Sequence, residues 1–301
     1  MLRVLISGAS GLIGSALVPF LGSHGYEVTH LVRNASRAAN ENVWNPMAPM
    51  SPGLVSGFDA VIHLSGESVA GRWTAAKKRR IRDSRVVSTR NLSQAVASAE
   101  KKPAVFLCAS AIGYYGDRGE EILTEESPSG TGFLAEVSRE WEAATKPGSD
   151  AGIRTVNLRI GIVLSRNGGA LKPMLLPFRL GLGGRISSGQ QWWSWIHIDD
   201  LVSAVWHILR TESVDGAVDI TAPNPATNAE FTRTLATALH RPAMLPIPAA
   251  AAKLAFGELA DEGLLSSAKI VPKKLLASGF EFQFPALSEA LADLLRSTRR
   301  S

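Results

Sequence analysis

A chain of 301 residues, 45% hydrophobic and 20% charged with a mean hydropathy of +0.07, can fill a sizeable core, which excludes a disordered or low-complexity protein. Its single cysteine, Cys108, excludes an intrachain disulfide or a Cys-x-x-Cys metal centre, so a reducing, cytoplasmic setting is expected. A net charge of +5 raises the question of nucleic acid, but the basic run KKRRIR at residues 77–82 follows a capping Thr74 and shares its stretch with Ile81, Val86 and Leu92. It therefore reads as the solvated face of a helix, and no nucleic-acid partner is expected. No apolar run reaches the length of a membrane span, and a strand starting at residue 2 leaves no room for a signal peptide, so no membrane partner is expected either.

The first twenty residues carry the clearest signal. Val4, Leu5 and Ile6 read as a strand buried on both faces, Gly8, Gly11 and Gly14 follow at three-residue spacing, and Leu12, Ala16, Phe20 with Ile13, Leu17, Leu21 make a helix with two apolar stripes. Gly8 suits a tight turn, Gly11 a close approach of the backbone to a pyrophosphate, and Gly14 close helix–strand packing. The phosphates would sit at the helix N-terminus, where free N–H groups favour anions. Ser10, Leu12 and Ile13 complete the expected cofactor turn. The second strand, EVTHLVR, ends on Arg33, about twenty residues beyond the glycines, where dinucleotide folds read the ribose. An arginine there can hold a 2′-phosphate by charge-assisted bonds, which favours NADP over NAD, with Asn34, Ser36 and Arg37 close behind.

The segment from Ala35 to Gly57 reads as a loop with at most a poor helix. A third strand is expected at Asp59–Gly66, a helix at about Thr74–Ala99, a fourth strand at Ala104–Ser110, a helix at Phe133–Ala144 and a fifth strand in TVNLRIGIVL. This alternation predicts an α/β fold, a Rossmann-type doubly wound parallel sheet. The remainder breaks step: a Pro- and Gly-containing apolar segment, a strand in WWSWIHIDD feeding a helix capped near Asp199, a short strand AVDIT, a helix capped by Asn228 and a last helix at Leu287–Leu295. We read residues 1–165, with a return at 190–222, as the NADP-binding domain, and 166–189 with 223–301 as a small C-terminal substrate lobe.

Ligands of open α/β sheets bind at the carboxyl ends of the strands. Ser110 and Tyr114, after the fourth strand, and Glu67, after the third, are therefore the candidate catalytic residues, with Glu67 equally readable as a cap or an ion-pair partner of Arg72. His197 and Arg159 lie within strands and read by default as structural, Arg159 requiring a partner if buried. Trp192, Trp193 and Trp195 suit core or lobe packing. No His, Cys, Asp and Glu grouping has metal-ligand spacing, and Ser110 lacks a GxSxG elbow, so neither a metal site nor a serine hydrolase is expected.

The motifs GASGLIG, VIHLSGE, CASAIGYYG, LRIGIVL and WIHIDDLV together resemble the extended short-chain dehydrogenase/reductase superfamily. The stretches GESVAGRWT, ASAIGYYGDRG followed by LTEES, WWSWIHIDDL and APNPATNAEF are similar to its NAD(P)-binding, sugar-nucleotide epimerase-like branch. The resemblance covers essentially the whole chain. It implies a cofactor turn at Gly8, Gly11 and Gly14, a loop beside the adenosine half at Leu64, Ser65 and Gly66, and a catalytic hydroxyl at Ser110. The superfamily's catalytic Tyr and Lys, four apart at the start of the next helix, have no counterpart: registering that helix by Glu142 puts Leu134 and Ser138 there, and a shift of one gives Phe133 and Val137. Neither pair can move a proton. The expectation is an NADP(H)-binding oxidoreductase or epimerase-like enzyme, monomer or homodimer, acting on a small polar molecule such as a nucleotide sugar. The alternative is a non-catalytic NADP(H)-responsive protein.

Overall fold

The computed structural model describes residues 1–34 and 38–296, so Ser36 and Arg37 lie outside the described residues. Its centre is a sheet of seven strands: β1 (Leu2–Ser7), β2 (Tyr26–Val32), β3 (Glu41–Val43), β4 (Ala60–His63), β5 (Val105–Ala111), β6 (Arg154–Ile160) and β7 (Gly216–Ile220). They lie in the order β7-β6-β5-β4-β1-β2-β3, every neighbouring pair parallel. Strand order reverses beside β1, the switch point at which such sheets open a crevice for a ligand.

Parallel strands need both faces covered, which is why Val4, Leu5, Ile6, Val61 and Ile62 are all apolar and fully buried. On one face, Leu17 and Leu21 of α1 (Leu12–Ser23) pack with Val205 and Ile208 from a helix at Ile198–Arg210. On the other, Leu92 and Val96 of α2 (Ala75–Ala97) and Trp141 of α3 (Phe133–Ala143) cover Leu5, Val61 and Phe106. Thr74 caps α2, its hydroxyl accepting from the Lys77 N–H at 3.2 Å. The basic run on that helix is partly paired locally: Lys77 with Glu67, Lys78 with Glu258, and Arg82 with Glu136 and Glu140.

Four expectations change in detail. The segment read as loop contains β3, whose three residues are too few to show a period. The fifth strand is two strands. β6 ends at Ile160, and Ile162–Ser165 leaves the central sheet to pair with Trp195–His197 and Gly168–Gly169. The switch falls on Gly161, whose N–H donates to the Ile220 carbonyl while that of Ile162 donates to Ser194. A Cβ there would stand 2.8 Å from the Ser194 carbonyl oxygen, so only glycine fits.

The helix α5 (Ile198–Arg210, after α4 at Leu171–Arg179) is capped by His197 rather than Asp199, because the His197 Nδ1 accepts from the Asp199 N–H at 3.1 Å. α6 (Asn228–Leu239) is capped by Thr227 in a reciprocal box with Glu230. Asn228 sits one residue inside, its side-chain oxygen taking the Ile186 N–H at 2.7 Å. With α7 (Ala249–Phe256) and α8 (Leu287–Arg296), α6 surrounds a further core of Trp195, Phe231, Leu235 and Leu291. Among the described residues, no helix is long and apolar enough to cross a membrane.

Candidate functional site

At the end of β1 the chain turns on Gly8, whose φ of +78° and whose 2.8 Å clearance between a built Cβ and the Leu64 backbone admit glycine alone. Gly11 caps α1 with no side-chain acceptor, leaving the first-turn N–H groups open. The Gly11 N–H closes the turn on the Gly8 carbonyl at 3.0 Å, and a Cβ at Gly14 would fall 2.3 Å from that same oxygen. Each glycine thus has a different steric reason. A cavity of about 1060 Å³ opens from Gly8–Gly11 past Leu64, Ser65 and Gly66 to Arg33 and Asn34 at the end of β2.

Ser10 lines this cavity, whereas Leu12, Ile13 and Gly14 do not. Leu12 turns its side chain to the Gly168–Gly169 backbone, Ile13 joins the core, and Gly14 is a packing position. Trp44 and Met47 also line the cavity and carry no signal in the sequence, since they sit in an irregular stretch after an edge strand too short to recognise. Beneath the crevice, His63 is fully buried between the Ser7 and Ser88 hydroxyls at 2.6 and 3.2 Å, and burial pushes its pKa down to about 3.

Glu67 lies in the lining of this same cavity and not beside Ser110. Its Oε1 is 2.6 Å from the Lys77 ammonium and 3.9 Å from Arg80, and the Lys77 hydrogen bond and charge hold its pKa below the ordinary carboxylate value. Arg72 is not its partner.

At the carboxyl ends of β5, β6 and β7 the site is built from side chains. Ser110 donates to Glu142 Oε1 at 2.7 Å, and Arg159 grips the same carboxylate with Nε and Nη2, each at 2.9 Å. Arg159 Nη1 donates to the Tyr115 hydroxyl at 2.9 Å, which in turn donates to the Asp219 carboxylate at 2.8 Å. The Arg159 guanidinium lies 3.5 Å from the centre of the Tyr114 ring, and the Tyr114 hydroxyl has no hydrogen bond among the described residues. Burial works against the charge of Arg159, but the Glu142 bonds outweigh it and raise its pKa. Burial, reinforced by Glu125, raises that of Asp219 well above the ordinary range; burial and the Asp219 charge raise that of Tyr115. Ser110 and Tyr114 are thus brought together through Arg159, and Arg159 has the partner that its burial demands. Sequence reasoning finds Glu142 only as a register mark. Its spacing of eight from Leu134 puts it two turns along one face of α3, the available clue.

Leu134, one of the two residues expected in place of the superfamily's Tyr, packs on Gly113, and a Cβ on that glycine would come 3.1 Å from the Leu134 Cβ. Ser138 is buried. The two N–H groups that start α3, those of Phe133 and Leu134, donate to the Glu262 carboxylate at 2.7 and 2.8 Å. His197 is buried, its ring tilted by 33° against that of Phe284, with Nε2 3.4 Å from Asp293. His197, Asp199 and Asp293 are close enough to suggest a metal cluster, but the Asp199 N–H occupies the Nδ1 lone pair and leaves the ring proton on Nε2, facing Asp293. Trp193 and Trp195 are buried, and Trp192 donates to Glu120.

Comparison with known proteins bears on this architecture. The family model described as the NAD dependent epimerase/dehydratase family matches residues 4–220, and a domain of unknown function matches residues 247–294. The epimerase family protein MT2273 of Mycobacterium tuberculosis is 42% identical over 290 residues, 96% of each chain. The human epimerase family protein SDR39U1 is 38% identical over 298 residues, 98% of this chain and all of that one. A crystal structure of human SDR39U1 with NADPH superposes with a TM-score of 0.91 at 36% identity, covering 97% of this chain and 99% of that chain. The UDP-N-acetylglucosamine 4-epimerase of Bacillus cereus, at 17% identity and a TM-score of 0.78 over the full length of both, shares the fold.

Proposed function

The chain belongs to the NAD dependent epimerase/dehydratase family, and on that premise we propose that it binds NADP(H) in the crevice at the glycine turn and transforms a small polar substrate at the carboxyl end of β5. The observation that carries the cofactor reading is the single cavity linking the open N-terminus of α1 to Arg33. The open first-turn N–H groups of α1, with Ser10 beside them, suit the pyrophosphate, Leu64–Gly66 borders the adenosine half, and Arg33 suits a 2′-phosphate. The human relative solved with NADPH supports this choice.

A nicotinamide cofactor supplies the hydride acceptor or donor, so what the protein must supply is a route for a proton. Leu134 and Ser138 offer none. Ser110 directs its own proton at Glu142, which leaves its oxygen lone pairs free to accept from a substrate hydroxyl. As that proton arrives at Ser110, the serine proton passes to the Glu142 carboxylate, and the reverse path protonates the product of hydride delivery. Arg159 fixes the carboxylate by two parallel bonds, and Tyr114, its ring against Arg159 and its hydroxyl free, orients the substrate. Glu67 stays outside this route, held by Lys77.

The second reading, a non-catalytic NADP(H)-responsive binding protein, draws on Leu134 packed against Gly113. A screen of nucleotide sugars, small ketones and quinones, following NADPH absorbance and, separately, epimerisation, decides between them. Turnover that Glu142→Gln removes supports the enzyme; no turnover on any class, with NADPH binding intact, supports the binding protein.

A further inference from the structure

A second cavity, of about 570 Å³, opens on α6 and the chain that follows it, and none of its lining residues belongs to the cofactor crevice. Three arginines, Arg185, Arg233 and Arg241, line it together with His240, and no Asp or Glu is among its described lining residues. The gathering follows from local structure. Arg233 is on the exposed face of α6, one turn after Ala229, and the helix stops at His240, whose φ of +54° turns the chain so that His240 and Arg241 fall at the same cavity. Arg185 comes from a different part of the chain, an extended stretch where Ile186 bridges to Ile247 and the Ser187 N–H bonds to Ile247.

Among the described residues none of these arginines forms an ion pair with an acid. Arg185 Nη1 donates to the Ser188 carbonyl and Arg241 Nε to the Arg179 carbonyl, both at 2.9 Å, which steers the guanidinium planes without neutralising them. Arg233 has no hydrogen bond or ion pair among the described residues. The negative end of the α6 dipole accounts for His240 and Arg241 but not for Arg185, which is foreign to the helix, nor for Arg233 near its middle. A further observation is independent of charge. Thr232, 4% exposed, lines the cavity, and its buried hydroxyl has no hydrogen-bond partner among the described residues.

We propose that this cavity is a binding site for a phosphate group, taken from a small phosphorylated molecule or from a lipid headgroup. Planar guanidinium forks match phosphate oxygens in pairs. The small side chains of Ala229 and Ala236 leave room for the remainder of the molecule.

The test uses the full chain saturated with NADPH, so that the glycine turn cannot report. Calorimetry with pyrophosphate should show binding that weakens at least tenfold in Arg185→Gln/Arg233→Gln, with NADPH affinity unchanged, and that Arg185→Lys/Arg233→Lys partly restores. Co-sedimentation with phosphatidylglycerol vesicles, against phosphatidylcholine alone, distinguishes the sources: capture lost in the Gln variant assigns a lipid headgroup, and pyrophosphate binding without capture assigns a soluble molecule. Neither pyrophosphate binding nor vesicle capture, or equal affinity in wild type and Gln variant, overturns the site. So does a parallel fall in NADPH affinity, which would make the cavity an extension of the crevice.

Discussion

The glycine turn and the Ser110 network, both at the carboxyl edge of the sheet, are built from different materials. Around Gly8, Gly11 and Gly14 the walls are backbone, and side chains are excluded because built Cβ atoms at Gly8 and Gly14 would stand 2.8 and 2.3 Å from main-chain atoms. Around Ser110 the walls are polar and charged side chains, those of Ser110, Tyr115, Glu142, Arg159 and Asp219, and the main chain only carries them. A backbone site tolerates any side chain that stays out of its way. A side-chain network is coupled, so each member is paired at the expense of another left unpaired when one is removed.

The sharpest break between the two ends is expected from Arg159→Met. It strands the Glu142 carboxylate, 13% exposed, without its cation, and unfolding in urea should show a loss of about 3–5 kcal/mol. Arg159→Met combined with Glu142→Leu should regain most of that loss, and a double variant as unstable as the single one would show that the pair is not the source.

Next in size, Glu142→Gln keeps the shape and removes the base. Turnover should fall about 10²-fold or more while NADPH affinity holds, because the cofactor end has no contact with this carboxylate. A rise in KM alone, with kcat unchanged, would assign Glu142 to binding instead.

At the other end, Arg33→Asp should cost NADPH roughly ten- to hundredfold in affinity, the worth of one charge-assisted bond of about 1.5–3 kcal/mol, and spare NADH. Calorimetry with both cofactors reads the difference, and equal losses would mean that Arg33 does not meet the 2′-phosphate.

The smallest effect is one of pH and belongs to His63, under the backbone-built end. Its folded pKa of about 3 lies below the ordinary 6.5, so the unfolded chain takes up a proton that the folded one refuses. The stabilisation is complete above pH 6.5 and declines as pH falls through the window from 6.5 to 3, by about 1.4 kcal/mol per unit, hence roughly 2 kcal/mol by pH 5. His63→Gln should flatten that slope in denaturation series at several pH values.

This contrast also explains what could be read from the chain. The alternation of parallel strands with helices and the Thr74 cap follow from local periods, and the glycine turn from a spacing of three, all visible within short stretches of the chain. Ser110, Tyr115, Glu142, Arg159 and Asp219 are separated by up to 104 positions in their hydrogen bonds, and no local pattern links them. Glu67 was legible as a residue at the right edge but not in its orientation, which Lys77 decides from ten positions away. The His197 cap was hidden because an imidazole so seldom substitutes for the neighbouring carboxylate that the sequence offers as a better candidate.

Gly161 has one more implication. It hands the fifth strand from one ladder to another across a single peptide, two residues after Arg159 and one before Ile162. The Ser194 carbonyl and the Thr221 methyl close over it, 2.8 and 2.9 Å from where a Cβ would be. Any side chain at this seam would wedge the two sheets apart, and the wedge would act on the backbone that carries Arg159. The gauge between the cofactor sheet and the structure facing it is therefore set by an absent methyl group.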